Sequence, residues 1–403
     1  MKRALVHIGM HKTGTSSIQE SLAGYDDGTI RYADLKERGH GSVLFTAFED
    51  VNIQNSRNGK QCSLEHAEQK RMTARQCIIN DVTKHNASLT IFSAEALLYL
   101  SLQGVKDLKE FFDQYFDDIE ILAYVREPLS YILSMTQQFI KMGAITTELP
   151  SPSYQNSFVK FIDTFGRSKV IFRQYSKENL VGASSVSDFC NFVGIPHESI
   201  VHSTVNKRLP FEAVQLLHNL NAQRVFNSKA PPFVKARNAV IDILTDLFNS
   251  PFVAALDDLE SAIEPDDIRW MEETAGFDLC RADIKPNCHR KGRGLLDRLE
   301  NISPSTKGTL LGYLDENDIL FEEDDTVTQL IMRLFLFQMN RYSLSVQSAF
   351  ILRDLAIKLE DHSDFTLSQA RDVMAIARLI HPQGDFIRRK LVEYEEKLEA
   401  DLS

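Results

Sequence analysis

Long apolar runs are missing from this sequence. Its most hydrophobic later stretch, Leu330 to Met339, carries Arg333 and is too short to span a bilayer. The N-terminal run after Met1, Lys2 and Arg3 turns almost at once into His11-Lys12-Thr13-Gly14, so no secretory leader pattern forms, and the expected location is cytoplasmic. Cysteine is sparse: Cys62, Cys77, Cys190, Cys280 and Cys288 are scattered, odd in number and without the close spacing of zinc ligands. The odd count argues against a complete disulfide framework, and a reduced compartment is the simpler reading. Basic excess is absent too. The formal net charge of -11 argues against sequence-blind nucleic-acid binding, though a local basic pocket for a small anion is compatible with it. No internal repeat or low-complexity tract breaks the chain.

What is present is an ordinary globular composition, 43% hydrophobic and 25% charged over 403 residues. That length suits two domains, or one with a large extension. Short apolar runs at Ala4–Gly9, Ser88–Ser93, Ile119–Val125 and Lys169–Phe172 alternate with helical patterns at Thr15–Leu22, Glu65–Lys84, Lys106–Phe116, Pro128–Lys141 and Ser187–Val193. This alternation predicts an α/β layer fold around a mainly parallel sheet. A further helix is expected over Pro210–Phe226. Beyond about residue 230 strand patterns fade and helices are expected at Val234–Phe248, Val327–Phe337, Val346–Leu359 and Leu367–Leu379. Ile284–Thr309 reads as linker or surface loop, and the acidic run Glu322–Asp325 as a helix start or solvated face. The expected division is an α/β domain over 1–280 and a mainly helical C-terminal part over 281–403.

The chemistry gathers where strands give way to helices. His11-Lys12-Thr13-Gly14-Thr15-Ser16-Ser17 follows the first strand. Amides at a helix start lack helical acceptors, and the helix dipole favours an anion there. Gly14 permits a tight turn close to a phosphate, Lys12 brings a mobile cation, and Thr15, Ser16 and Ser17 bring hydroxyls. The usual nucleoside-triphosphatase loop, G-x-x-x-x-G-K-S/T, is not matched: Gly9 and Gly14 have its spacing, but Thr15 stands where its lysine belongs. The strand ending at Val125 repeats the geometry. Arg126 lies at its carboxyl edge, Pro128 opens a helix, and Ser134 follows eight positions after the arginine. Two anion sites in one sheet imply one ligand with two separated phosphates.

This pair of motifs resembles the sulfotransferase family that uses 3′-phosphoadenosine 5′-phosphosulfate, over roughly residues 1–280, and its opening resembles bacterial members that sulfate carbohydrates. The resemblance implies a P-loop-NTPase-like three-layer sandwich with a C-terminal α-helical extension. It assigns His11, Lys12, Thr13, Gly14, Thr15, Ser16 and Ser17 to the 5′-phosphosulfate, and Arg126 and Ser134 to the 3′-phosphate. It puts Tyr175 near the adenine and Lys207 or Arg208, in Asn206–Pro210, on a closing loop. Lys12 would stabilise the phosphosulfate bridge. The acceptor implied is a carbohydrate or glycolipid hydroxyl.

Transfer needs a base for that hydroxyl and positive charge where negative charge grows. Glu95, just past the edge of the second apolar run, is the first candidate for the base, His11 the second and His66 a distant third. Glu95 also suits a helix-start carboxylate held by amides. Ser93 is a candidate lining residue of the acceptor pocket, while His7, His197 and His202 show no arrangement of their own. Trp270 and Phe277 either cap that cleft or serve the core. No metal-ligand cluster is seen. A nucleoside-triphosphate-dependent phosphotransferase and a non-catalytic nucleotide-binding scaffold are the rival readings. The helical end would cover the acceptor, form a homodimer contact or hold another partner.

Overall fold

A computed structural model of the chain describes residues 1–50, 63–200, 208–254, 258–259, 262–279, 294–342, 346–361 and 366–400. Asn206, Lys207, His202, Cys62, Cys280 and Cys288 lie outside the described residues. The chain divides into two compact units. One comprises 1–135, 149–207 and 255–292; the other comprises 136–148, 208–254 and 293–403.

The first unit is built on a five-stranded, all-parallel sheet in the order β2-β3-β1-β4-β5. Its strands are β1 (Arg3–His7), β2 (Ile30–Tyr32), β3 (Leu89–Ser93), β4 (Asp118–Arg126) and β5 (Val170–Tyr175). Every residue of β3 is buried, the mark of a parallel strand covered on both faces. Alternation then sorts its side chains. Ile91 packs on one face with Leu5, Leu122 and Tyr124 against Ile18 and Leu22 of α1 (Thr15–Leu22) and Phe189 of α7 (Ser185–Val193). Phe92 turns to the other face, 4.9 Å from the ring of Phe112, in an aromatic cluster with Phe48 and Phe116. That second layer is formed by α2 (Gly41–Phe48), α3 (Leu64–Lys84), α4 (Leu102–Phe112) and α6 (Tyr154–Phe165). The helix α5 (Pro128–Lys141) follows β4, and α10 (Pro265–Ala275) packs on α6.

Several boundaries move for local reasons. The helix expected over Lys106–Phe116 begins at Leu102, because the Ser101 side chain caps it by accepting the Gly104 amide at 3.0 Å. The weakly patterned Gly24–Gly59 region supplies the short strand β2 and the helix α2.

One buried polar network ties the sheet to its helix layer. Asp188 in α7 is fully buried; it accepts Tyr124 Oη at 2.7 Å and both Nε and Nη2 of Arg173 at 2.7 Å. Burial alone would raise the Asp188 pKa, but the bonds from Arg173, Tyr124 and the Val181 amide outweigh it and hold the carboxyl below its ordinary range. Asp188→Ala leaves the buried Tyr124 hydroxyl and the half-buried Arg173 guanidinium without their partner, at a cost of about 1.5–3 kcal/mol. A urea titration should register that loss; a change near zero would show that water replaces the carboxylate freely.

The second unit is helical among its described residues. It comprises α8 (Phe211–Ala222), α9 (Pro231–Leu247), α11 (Gly294–Glu300), α12 (Pro304–Glu316), α13 (Val327–Tyr342), α14 (Val346–Glu360), α15 (Leu367–Ile380) and α16 (Asp385–Ala400), with the last residues of α5. The linker expected over Ile284–Thr309 is corrected in its described part. Leu295, Leu296 and Leu299 bury one face of α11, and Ser303 with Pro304 starts α12 by accepting the Thr306 amide. Within the acidic run, Asp325 is buried rather than solvated and accepts Arg333 Nε at 2.6 Å, which accounts for the arginine inside the apolar α13 stretch. Ala349, Ala356, Ala370 and Ala377 form a small-residue seam between α14 and α15. No helix among the described residues is long and apolar enough to cross a membrane.

Candidate functional site

In an all-parallel sheet every strand ends at the same edge. β1 has β3 on one side and β4 on the other, so the chain diverges beside it, and ligands settle at the carboxyl ends next to such a point. His11 to Gly14 follow β1, Glu95 follows β3, Arg126 ends β4 and Tyr175 ends β5. The parallel register sets Arg126 opposite Tyr175.

The loop after β1 is held in shape by its own hydrogen bonds. Met10 donates its amide to the Tyr124 carbonyl at 3.3 Å, keeping the loop alongside β4. Thr13 Oγ1 donates to the Met10 carbonyl at 2.6 Å. Lys12 has a φ of 65° and Gly14 a φ of 82°, two left-handed positions that reverse the chain into α1. At Gly14 glycine is required twice over: a Cβ there would collide with Ser185 Oγ and stand 2.8 Å from Ser185 Cβ, besides the strained backbone. Gly14 is also the N-cap of α1, so no side chain caps the helix, and its first turn has no acidic residue. The opening amides of α1 are thus suited to an anion.

Arg126 joins the two motifs. Its Nη1 donates to the Lys12 carbonyl at 2.6 Å, across 114 positions of sequence. Its Nε donates to Ser130 Oγ at 2.7 Å, and its guanidinium lies 5.5 Å from the centre of the Tyr175 ring. Fully buried Tyr154 donates its hydroxyl to the Arg126 carbonyl at 2.6 Å and fixes the strand end. Burial lowers the Lys12 pKa below its ordinary value; the Glu95 carboxylate opposes that and the Arg126 charge reinforces it. Lys12 and Arg126 are thus two cations at one strand edge.

Beside them stands a chain of three side chains. His11 Nδ1 pairs with Glu95 Oε1, and His11 Nε2 hydrogen-bonds Tyr99 Oη. Glu95 and Tyr99 open and close one 3₁₀ turn directly after β3, four positions apart. Tyr131 on α5 is buried close by; burial, with the neighbouring Tyr99 and Glu95, pushes its phenol above the ordinary range.

The sequence expectations divide accordingly. His11, Lys12, Glu95, Arg126 and Tyr175 come together at one edge. Ser16 and Ser17 lie exposed and half-buried in the first turn of α1. Thr13 and Thr15 are buried, Thr13 turned inward onto Met10 and Thr15 with its Oγ1 enclosed. Ser134 is half-buried and shares a face of α5 with Ser130, four residues before it; Arg126 engages Ser130. Arg208 is exposed before α8, in the second unit. Ser93, a candidate lining residue, is fully buried and bonded to His7 Nδ1 at 2.9 Å. His66 is exposed on α3. Sequence reasoning missed Ser130, Tyr99, Tyr131 and Ser185. Tyr99, Ser130 and Tyr131 had a local signal, each within one helical turn of a residue already singled out.

No protein-family model matches the chain, and no curated protein matches it. Among solved structures it is similar to a sulfotransferase from Alicyclobacillus acidocaldarius, 14% identical, over 61% of this chain and 96% of that one, with a TM-score of 0.31. A likeness at that score carries no argument about fold or chemistry.

Proposed function

We propose that the chain is a sulfotransferase that takes the sulfuryl group of 3′-phosphoadenosine 5′-phosphosulfate to a hydroxyl of a carbohydrate or glycolipid acceptor. The observation that carries this reading is the Arg126 Nη1 bond to the Lys12 carbonyl, which brings two anion-binding motifs to one edge beside an uncapped helix. A ligand with two separated phosphates fits that pair better than a single phosphate does. The donor, when bound, supplies an activated sulfuryl group with a good leaving group.

The residues divide the work. The first-turn amides of α1 with Ser16 and Ser17 hold the 5′ end. Arg126 and the Ser130–Ser134 face of α5 hold the 3′-phosphate, and Tyr175 packs against the guanidinium from β5. Lys12 stabilises negative charge where the leaving oxygen develops it. Glu95, with His11 second, is the candidate to take the proton of the attacking hydroxyl; the two are paired through His11 Nδ1, and His11 Nε2 is engaged by Tyr99 Oη.

The test is calorimetric titration of 3′-phosphoadenosine 5′-phosphate. Wild type should bind it, ATP should not compete, and Arg126→Ala should weaken binding by about 1.5–3 kcal/mol, roughly ten- to hundredfold, measured below the melting temperature of the variant. Absence of binding removes the donor assignment. Magnesium-dependent ATP binding instead would bring the phosphotransferase forward.

A further inference from the structure

The hydroxyl that already sits on His11 belongs to the protein. Tyr99 Oη is bonded to His11 Nε2, while His11 Nδ1 is engaged by the Glu95 carboxylate. Carboxylate, imidazole and hydroxyl in series are the arrangement in which a base removes a proton from a nucleophile. The group poised for deprotonation here is a phenol, and it is in place before any acceptor arrives. Tyr99 is 43% exposed, so its side chain is open to solvent. Its ring lies 5.3 Å from the His11 ring. Lys12 senses the charge of Glu95, which places its ammonium in the same electrostatic neighbourhood.

We propose that Tyr99 is an internal acceptor, a sulfation site on the protein itself; this rests on the sulfotransferase reading. The step balances with the phosphosulfate donor as sole co-reactant. Tyr99 Oη forms the new bond to sulfur. The bond between sulfur and the bridging oxygen breaks, and that oxygen leaves with the electron pair as the 5′-phosphate of 3′-phosphoadenosine 5′-phosphate. The phenolic proton passes to His11 Nε2, and Glu95 stabilises the resulting imidazolium. No redox change occurs. Holding nucleophile and base together makes proton removal from this acceptor intramolecular.

The experiment incubates full-length protein with sulfur-35-labelled donor and no added acceptor, with 3′-phosphoadenosine 5′-phosphate calorimetry on the same preparations. The expected result is one label per chain, recovered after alkaline hydrolysis as tyrosine sulfate from the peptide holding Tyr99. Tyr99→Phe, which keeps the ring and removes only the oxygen, should lose the label and still bind the nucleotide. His11→Ala should lower the labelling rate at least tenfold at nucleotide concentrations that the calorimetry shows to saturate the variant. Nucleotide binding without label on Tyr99, or equal labelling in Tyr99→Phe, overturns the proposal and leaves the sulfotransferase reading standing. No nucleotide binding in wild type overturns both, and the calorimetry separates the two failures.

Discussion

Lys12→Ala is expected to slow sulfuryl transfer by roughly 10²–10³-fold, the usual cost of removing one preorganised donor from a developing charge. Donor affinity should fall less than in Arg126→Ala. The reason lies in the environment of the ammonium. It is partly withdrawn from water and its pKa is lowered, first by burial and then by Arg126, with Glu95 pulling the other way. A cation already stripped of part of its hydration gives more to a neighbouring negative charge than a solvated one does. The substitution is also clean at the backbone. Lys12 occupies a left-handed φ of 65°, and lysine and alanine meet the same Cβ strain there, so backbone strain does not enter the difference. Release of 3′-phosphoadenosine 5′-phosphate over a panel of carbohydrate acceptors measures the rate. A variant within threefold of wild type would remove Lys12 from the chemistry.

Acidification is expected to destabilise the first unit steeply, beginning well above the range where carboxylates titrate. His7 and His40 are both buried, and burial is the leading cause that holds His7 down at about 3 and His40 at about 4. His40 is locked neutral by geometry as well. Its Nε2 donates to the Ala33 carbonyl at 2.9 Å, and its Nδ1 accepts the Ser93 amide at 3.1 Å, so a second ring proton would break the latter bond. His7 meets Ser93 Oγ and the rings of Tyr124 and Phe189, and burial is what disfavours its charged form. In the unfolded chain both titrate near about 6.5. Above that pH neither state is protonated and the full stability is present. As pH falls below it, the unfolded chain takes up two protons that the folded chain refuses. Stability then falls by roughly 2.7 kcal/mol per pH unit, or about 4 kcal/mol by pH about 5. That is a large share of a typical domain stability of about 5–15 kcal/mol. Urea unfolding at several pH values between about 7 and about 5 should show this slope, and His7→Gln or His40→Gln should each roughly halve it. An unchanged slope in both variants would assign the acid sensitivity elsewhere.

The readable parts of this protein are those governed by neighbouring residues. Apolar runs alternating with helical patterns announced the α/β layer, since a strand buried on both faces must be apolar throughout, as Leu89–Ser93 is. The turn at Gly14 and the start at Pro128 were legible because backbone freedom and proline geometry act within a few residues. The loop charges Lys12 and Arg126 stood out for the same reason, each at the end of an apolar run. Helices α11 and α12 were misread as linker because the basic residues upstream masked two short apolar faces and a serine cap.

Sequence alone therefore determined the strand-to-helix punctuation and the residue types at each turn. Tertiary structure decided which turns meet. The order β2-β3-β1-β4-β5 sets Glu95 and Arg126 on opposite sides of the loop after β1. It couples His11 to Glu95 and Tyr99, and Arg126 to the Lys12 carbonyl. It turned Thr13 and Thr15 inward and buried Ser93 under the sheet edge. Those outcomes depend on register between strands separated by about a hundred positions of chain, and register follows from which apolar faces can be buried together. A local pattern records that a face must be buried, whereas the partner that buries it is selected only when the whole sheet closes.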